Sequence, residues 1–252
     1  MAFDVSADSY GRFMGRYAEP LAIQFADLAE VAAGQRVLDV GCGPGALTAE
    51  LLKRAGADRV AAVDPSASFV TAARARLPGV DVRSGVAESL PFEDDYFDAS
   101  LAQLVVHFMT DPIGGLRDMA RVTRPGGLVA ACVWDHAGGR GPLSTFWRAA
   151  RELDPQLNDE SVRPGAREGE LAELLGAAGL AAIESSQLTV RVRYESFAEW
   201  WEPFMLGVGP AGDYVKGLEE SYRDDLRNRA AELLPRGPFD VLASAWCVRA
   251  RV

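Results

Sequence analysis

Short apolar runs alternate with helical patterns between residues 36 and 134, and this alternation limits the possible folds more than any other feature. Continuous apolar runs are typical of parallel strands that are buried on both faces. The stretches between the runs repeat apolar residues at helical spacing, as at Leu47, Leu51 and Ala55. The pattern therefore predicts an α/β fold with a doubly wound, Rossmann-like sheet. The runs are "RVLDV" (36–40), "RVAAVD" (59–64), "VDVRSG" (80–85), "FDASLAQLVV" (97–106) and "GLVAACVW" (127–134).

Two further strands are predicted in the second half of the chain. They are "QLTVRVRYE" (187–195) and "DVLASAWCVRARV" (240–252). A hairpin needs only a few residues between its strands, whereas residues 196–239 separate these two. An excess of this size usually has a function, and this one begins with the aromatic stretch "FAEWWEPFML" (197–206). We therefore expect a helical cap inserted between strands 6 and 7.

Composition limits the partners of the chain. The formal net charge is −10 and the pI is about 4.8, so the surface should repel a nucleic-acid backbone. Neither a signal peptide nor an apolar run of membrane-spanning length is visible. We expect a cytoplasmic protein with no nucleic-acid or membrane partner, and the oligomeric state is left open. No pair of the three cysteines has metal-ligand spacing, so the sequence predicts no metal site.

A glycine turn follows the first predicted strand. Gly41-x-Gly43-x-x-Ala46 satisfies the loose dinucleotide fingerprint, and Asp64 follows at the end of the second strand, where an acid binds ribose hydroxyls. An NAD-linked oxidoreductase is therefore one interpretation.

Three features favour another cofactor. Asp39 lies two residues before the turn, where a carboxylate would repel a pyrophosphate but favour a cationic amino group. The stretch "GVAESLPFEDDYFD" (85–98) places an acid and a Leu-Pro-Phe turn before the fourth strand, and "RVTRPGGLVA" (121–130) leads into the fifth. In this order and spacing, these residues resemble class I S-adenosylmethionine-dependent methyltransferases of the small-molecule, type 11-like group.

The resemblance implies S-adenosyl-L-methionine as the cofactor and S-adenosyl-L-homocysteine as its product. It also implies a seven-stranded sheet whose last strand is antiparallel. The family's glycine loop would pack on the methionine portion, and the acid after the second strand would bind both ribose hydroxyls. The matching residues are Asp39, Gly41, Cys42 and Gly43 in the loop; Asp64, Pro65 and Ser66 beside the ribose; Val86, Ala87 and Glu88 beside the adenine; and Gln103 and Leu104 near the methionine and the methyl group.

The resemblance also predicts the organisation and function of the chain. We expect a single methyltransferase domain (1–252) with an N-terminal helical segment (1–35), a cofactor-binding half (36–134) and the cap insertion (196–239). It would transfer a methyl group to a small organic acceptor, and the sequence leaves the acceptor atom open. A methyltransferase-like protein that binds the cofactor without methylating is a second alternative, because one fold hosts several functions.

The chain contains only two histidines, and both follow predicted strands. His107 lies just past the fourth strand and His136 just past the fifth, at strand ends where α/β sheets bind ligands. They are the candidate catalytic bases. Aromatic side chains in the long connections are candidates for binding the acceptor and excluding water. These are Tyr17, Trp134, Trp200, Trp201 and Phe204.

Overall fold

A seven-stranded sheet forms the centre of the protein in the computed structural model, which describes residues 5–252. The strands are β1 (Val37–Val40), β2 (Val60–Asp64), β3 (Asp81–Ser84), β4 (Phe97–Gln103), β5 (Thr123–Trp134), β6 (Ala181–Tyr194) and β7 (Phe239–Arg251). Their order is β3-β2-β1-β4-β5-β7-β6. Neighbouring strands from β3 to β5 pair in parallel, whereas β7 pairs antiparallel with both β5 and β6. The predicted Rossmann-like sheet with an antiparallel last strand is confirmed.

Helices connect the strands and cover the sheet. They are α1 (Ala7–Tyr10), α2 (Arg16–Leu28), α3 (Ala46–Ala55), α4 (Ala67–Arg76), α5 (Pro112–Val122), α6 (Ser144–Leu153), α7 (Glu170–Ala177), α8 (Phe197–Trp201), α9 (Gly209–Gly217) and α10 (Glu220–Glu232). A π-helical turn (Gly11–Gly15) joins α1 to α2, and short 3₁₀ turns include Val106–Phe108, Glu160–Val162 and Glu202–Leu206. Within residues 5–252, no helix is both long and apolar enough to cross a membrane.

Alternate residues of each strand face opposite sides of the sheet, and the two largest hydrophobic cores lie on its two faces. On β5, Leu128 and Ala130 belong to the core that includes α2, α3, α6 and the helices between β6 and β7. Val129 and Ala131 belong to the core that includes α5 and α7. The sheet is therefore covered on both faces, as the continuous apolar strands predict.

The segment between β6 and β7 is helical, as predicted, and its aromatic side chains lie in the main core. Trp200 and Trp201 are 3% and 5% exposed. Phe204 stacks on Phe146 of α6 with ring centroids 4.4 Å apart. The cap therefore shares the hydrophobic core of the sheet and is packed as an integral part of the domain.

The start of α2 is hydrogen-bonded to the end of β6. The hydroxyl groups of Tyr17 and Tyr194 lie 2.7 Å apart, and the Arg16 guanidinium donates to the Arg193 carbonyl at 2.8 Å. The predicted N-terminal helical segment is helical from Ala7 to Leu28. Residues 1–4 of that prediction lie outside the described residues. These contacts fix the start of α2 against the end of β6, and Tyr10, Phe13 and Met14, which precede α2, line the pocket described below.

Candidate cofactor and acceptor site

A pocket of about 1280 Å³, part of it open to solvent, lies at the carboxyl ends of the parallel strands. Gly41 follows β1, Asp64 ends β2, Gly85 follows β3 and Trp134 ends β5, and all four line this pocket. The strand order reverses between β1 and β4, and such a switch point is where open α/β sheets bind ligands. Residues from several of the sequence motifs therefore meet in one cavity.

The glycine loop uses its backbone amides internally. The Gly41 and Cys42 N–H groups both donate to the Val63 carbonyl, at 2.8 and 3.0 Å. The Gly43 N–H donates to Asp64 Oδ2 at 2.8 Å, and the Gly45 N–H donates to the Cys42 carbonyl at 2.9 Å. The remaining loop residue is a proline, which has no N–H. No amide of residues 41–45 is left to bind a pyrophosphate.

The two glycines of the motif are required for different reasons. Both have a positive φ, +72° at Gly41 and +53° at Gly43, which glycine adopts without strain. A Cβ at Gly41 would lie 2.5 Å from the Val105 side chain. A Cβ at Gly43 would meet no atom within 4 Å, because this residue faces the open pocket. Gly41 therefore serves packing, and Gly43 leaves space for a ligand.

Asp64 presents a fixed carboxylate to the pocket. Its Oδ1 accepts a hydrogen bond from the Ser66 N–H and its Oδ2 accepts one from the Gly43 N–H, each at 2.8 Å. Burial raises the pKa of Asp64, while these two backbone donors lower it. A carboxylate oxygen has two lone pairs, so each oxygen retains capacity for a ligand hydroxyl.

Asp39 and Cys42 support the loop from behind the pocket and do not line it. Asp39 is 1% exposed, accepts a hydrogen bond from the Thr48 hydroxyl at 2.6 Å, and has its pKa raised to about 7 by burial. Cys42 packs with Val70 and Val82, and burial raises the pKa of its thiol. Asp39 and Cys42 are therefore buried supports of the glycine loop and are not part of the pocket lining.

The residues predicted beside the ribose and adenine line one wall of the pocket. Ser66 caps α4 by accepting a hydrogen bond from the Phe69 N–H at 3.4 Å. Glu88 Oε1 accepts hydrogen bonds from the backbone N–H groups of Thr110 and Asp111, at 2.8 and 3.2 Å. The predicted residues on this wall are Pro65, Ser66, Val86, Ala87 and Glu88.

Two residues at the end of β4 also line the pocket. Leu104 has a φ of +63°, a strained conformation for a residue with a side chain, and its N–H donates to the Cys132 carbonyl at 2.9 Å. Gln103 Nε2 donates to the Ala18 carbonyl at 3.0 Å, which leaves the buried Gln103 Oε1 without a partner among the described residues. The chain therefore holds an unusual backbone turn and a free acceptor atom at this point of the pocket.

Both histidines reach the pocket, and their ring centroids lie 5.9 Å apart. His107 lies in the 3₁₀ turn after β4 and His136 in the turn after β5. Burial lowers the pKa of each ring, that of His107 well below its usual value. In the described part of the chain, His107 Nδ1, His136 Nε2 and the Trp134 Nε1 beside them are buried without a hydrogen-bond partner. This end of the pocket therefore carries neutral imidazoles with unsatisfied polar atoms.

Four of the predicted acceptor-binding residues do not line the pocket. Trp134 does, but Tyr17, Trp200, Trp201 and Phe204 are buried in the core on the side of α2 and α6. The sequence shows that these side chains are large and apolar, and such side chains fill cores as readily as they line cavities.

Sequence reasoning missed part of the lining. Glu160 is the most informative omission, because it lies in the irregular connection between α6 and α7, where no periodicity marks a buried acid. Its Oε2 accepts a hydrogen bond from Trp147 Nε1 at 2.9 Å. The other residues without an individual prediction that line the pocket include Met14, Phe69, Phe108, Met109, Leu143, Val208 and Pro210.

Among the described residues, the charged side chains that line the pocket are acidic. Its carboxylates belong to Asp64, Glu88 and Glu160, and the described residues place no lysine or arginine in it. Such a pocket favours a cationic ligand and disfavours one that carries two phosphate charges.

Comparison with known proteins identifies the family. The model of a family described as "Methyltransferase domain" matches residues 38–131, which extend from β1 into β5. A demethylmenaquinone methyltransferase from Mycolicibacterium paratuberculosis is 33% identical over 170 residues, which cover 62% of this chain and 72% of that protein. The chain belongs to the methyltransferase family. The resemblance predicted from the motifs is thereby confirmed.

Two other methyltransferases show how far the similarity extends. A demethylmenaquinone methyltransferase from Paenarthrobacter aurescens is 35% identical over 122 residues, which cover 48% of this chain and 46% of that protein. The chain thus spans less than half the length of this curated relative. The fold is similar to that of geranyl diphosphate C-methyltransferase from Streptomyces coelicolor A3(2), solved with Mg²⁺, geranyl diphosphate and S-adenosyl-L-homocysteine. The TM-score is 0.55 with 15% identity, over 92% of this chain and 79% of the other.

Proposed function

We propose that this protein transfers a methyl group from S-adenosyl-L-methionine to a small organic acceptor. The observation that carries the proposal is the anionic lining, with a fixed Asp64 carboxylate and no lysine or arginine from the described residues. It fits a cationic sulfonium cofactor and opposes the pyrophosphate of NAD.

The residues around the glycine loop would hold the cofactor. S-adenosyl-L-methionine supplies an activated methyl group on a sulfonium, which a nucleophile displaces. Asp64 would accept hydrogen bonds from the ribose hydroxyls, and Gly43 leaves the space that the cofactor needs. The wall formed by Pro65, Val86 and Ala87 would enclose the adenine. Asp39 adds negative charge beneath the loop when it is ionised.

The acceptor end favours an aromatic or apolar molecule. Phe13, Phe108 and Trp134 line the pocket, and aromatic side chains give large apolar contacts with few polar atoms. Several relatives of this chain are demethylmenaquinone methyltransferases, which makes a quinone-type ring the first acceptor class to test. We propose that His107 and His136 face this acceptor.

In this proposal the two histidines accept a proton, and the segments that cover them exclude water. Burial keeps both imidazoles neutral near pH 7, so each has a ring nitrogen that can take a proton from an acceptor hydroxyl. The π-helical turn between α1 and α2 contributes Met14, and the N-terminal end of α9 contributes Val208 and Pro210. These apolar residues would exclude water from the reacting atoms.

A labelled-methyl assay tests the proposal. The protein would be incubated with S-adenosyl-L-methionine carrying a radiolabelled methyl group and with quinols, phenols and amines in turn. We expect label in at least one acceptor, together with formation of S-adenosyl-L-homocysteine. Asp64→Asn is the control, because it removes the proposed ribose ligand and should abolish transfer. Tight binding of the cofactor with no transfer to any acceptor would favour the alternative of a non-catalytic cofactor-binding protein.

A further inference from the structure

Three potential metal ligands meet at the acceptor end of the pocket. The ligating atoms of His107, His136 and Glu160 lie within 4.8 Å of one another. The residues come from three separate segments: the turn after β4, the turn after β5, and the 3₁₀ turn Glu160–Val162. His107 and Glu160 are each 4% exposed. The fold therefore collects two imidazoles and a carboxylate that the sequence separates widely.

The histidines of this cluster have unused polar atoms. His107 Nδ1 and His136 Nε2 are buried without a hydrogen-bond partner in residues 5–252. Buried polar atoms almost always have a partner, so an exception calls for an explanation. An imidazole ligates a metal through a ring nitrogen that carries no proton. A bound cation would satisfy nitrogens that the protein leaves free.

Neighbouring residues hold the three side chains in place. The Trp147 indole donates to Glu160 Oε2 at 2.9 Å, which leaves Oε1 as a ligand atom. Asp135 Oδ1 accepts the Gly138 N–H at 2.8 Å and so fixes the turn that carries His136. Hydrogen bonds of this kind orient ligands in protein metal sites.

The local charges are balanced before any cation binds. The Arg163 guanidinium donates to the His107 carbonyl at 3.3 Å and opposes a cation by its charge. The carboxylates of Glu160 and Asp135 act in the opposite direction on His136, although Asp135 is also paired with Arg140. A divalent ion at this site would be attracted by one carboxylate ligand, Glu160, and repelled by one nearby guanidinium, Arg163.

We propose that His107, His136 and Glu160 bind a divalent transition-metal ion such as Zn²⁺. Two imidazoles and one carboxylate are a frequent ligand set for catalytic Zn²⁺, and also for Fe²⁺, whereas Mg²⁺ and Ca²⁺ prefer all-oxygen sites. Bonds of about 2.0–2.2 Å separate tetrahedral ligands by about 3.4 Å. The three ligand atoms would therefore have to approach one another by at most about 1.4 Å.

The site has consequences for the acceptor, and this step rests on the proposed methyl transfer. All three ligands line the pocket, so an open coordination position would face the acceptor. The acceptor would then carry a hydroxyl, enol or amine that ligates the metal. A metal lowers the pKa of a bound hydroxyl, whose proton would leave to solvent, and the histidines would act as ligands in place of bases.

Metal titration of the purified protein tests the site directly. Protein freed of metal by a chelator would be titrated with Co²⁺, whose visible absorption reports a protein site, and then with Zn²⁺ as a competitor. We expect one equivalent of each. His107→Gln, His136→Gln and Glu160→Gln should each lower the affinity at least about tenfold. Glu152→Gln is the matched control, because this carboxylate lies on α6 and pairs with Arg148 at 3.1 Å.

A second variant tests the orientation of the carboxylate. Trp147→Phe removes the donor to Glu160 and keeps an aromatic ring in the core. We expect it to weaken Co²⁺ binding by about 10–100-fold, as for other outer-shell partners of metal ligands. Zn²⁺ should also raise the melting temperature of the wild-type protein but not that of Glu160→Gln. The wild-type shift needs no variant, so the misfolding of one variant would leave this measurement valid.

Two outcomes would overturn the metal site: absence of one-equivalent binding, or equal affinity in wild type and in all three ligand variants. Calorimetry with S-adenosyl-L-homocysteine on the chelator-treated protein separates this proposal from the proposed function. Cofactor binding without Co²⁺ binding would reject the metal site alone. Co²⁺ binding without cofactor binding would reject the proposed function and leave the metal site intact.

Discussion

Asp64 is the residue that carries most of the proposed cofactor binding. Its carboxylate faces the pocket while two backbone N–H groups hold it in place. We predict that Asp64→Asn lowers the affinity for S-adenosyl-L-homocysteine at least about 100-fold, since two charge-assisted hydrogen bonds contribute ~1.5–3 kcal/mol each. Isothermal calorimetry measures this directly. Asp58→Asn, at an exposed carboxylate, should leave the affinity unchanged, and equal affinities for both variants would remove Asp64 from the site.

Asp39 gives the protein a predictable dependence of stability on pH. Its pKa is 3.8 in a model peptide and about 7 in the folded protein, so the folded state binds more protons between these pH values. The stability that this group contributes is fully present below pH 4 and is lost as the pH rises through 7. In Asp39→Asn that loss is absent, and the amide oxygen can still accept from Thr48.

Urea unfolding at pH 5, 6, 7 and 8 tests the effect of Asp39. The free energy of unfolding of Asp39→Asn, relative to wild type, should increase as the pH rises from 5 to 7. The increase should be at most about 1.4 kcal/mol per pH unit, the value for one proton. A difference between the two proteins that stays constant over this range would contradict the raised pKa.

The two motif glycines should respond differently to a methyl group. Gly41→Ala combines a strained backbone with a clash against Val105, so we expect a loss of about 2–5 kcal/mol in unfolding free energy. Gly43→Ala meets only the backbone cost, about 1–2 kcal/mol, but its methyl group enters the pocket. Denaturant unfolding and calorimetry should therefore show that Gly43→Ala stays folded and loses affinity for S-adenosyl-L-homocysteine. Similar stability losses in the two variants would contradict this account.

Residues could be predicted from the sequence where they lie in a motif next to a strand end. Gly43, Asp64 and Glu88 reach the pocket because parallel strands end at one edge of the sheet. Glu160 could not be predicted, because only the folded path of an irregular connection brings it to the histidines. The cap tryptophans were expected at the acceptor but lie in the core, since composition does not tell a core from a cavity.

At the scale of elements, the segment between β6 and β7 is bound into the core by its aromatic residues. Phe204 packs against Phe13 and Phe146 and is 2% exposed. We predict that Phe204→Ala lowers the free energy of unfolding by ~3–5 kcal/mol, the usual cost of such a cavity. Met205 is its neighbour and is 43% exposed, so Met205→Ala should change stability by less than about 0.5 kcal/mol. Equal effects would mean that the segment is a loosely attached lid.

Strand positions were predicted well where strands are buried on both faces. β1, β2 and β4 begin within one residue of the predicted runs, because their apolar residues are continuous. β6 begins at Ala181, six residues before the predicted run at 187, and its first half is mostly exposed. Polar residues on an edge strand carry little hydrophobic signal, so the pairing of β6 with β7 extends the strand beyond what its sequence indicates.

At the scale of the whole molecule, fold and family were accessible from sequence because several motifs occur in register along a repeating βαβ pattern. The acceptor was not, because the end of the pocket that we propose for it is assembled from the N-terminal helices, the turns after β4 and β5, and the start of α9. These segments are irregular or far apart in sequence. The net charge of −10 agrees with a lining that contains carboxylates and, in the described residues, no lysine or arginine.

Isothermal calorimetry with S-adenosyl-L-methionine, S-adenosyl-L-homocysteine and NAD, run in parallel on the purified protein, tests the central claim most directly. The anionic pocket predicts binding of the first two ligands and no detectable heat from NAD. Binding of NAD alone would show that the dinucleotide fingerprint, and not the carboxylates around it, determines the ligand of the glycine turn.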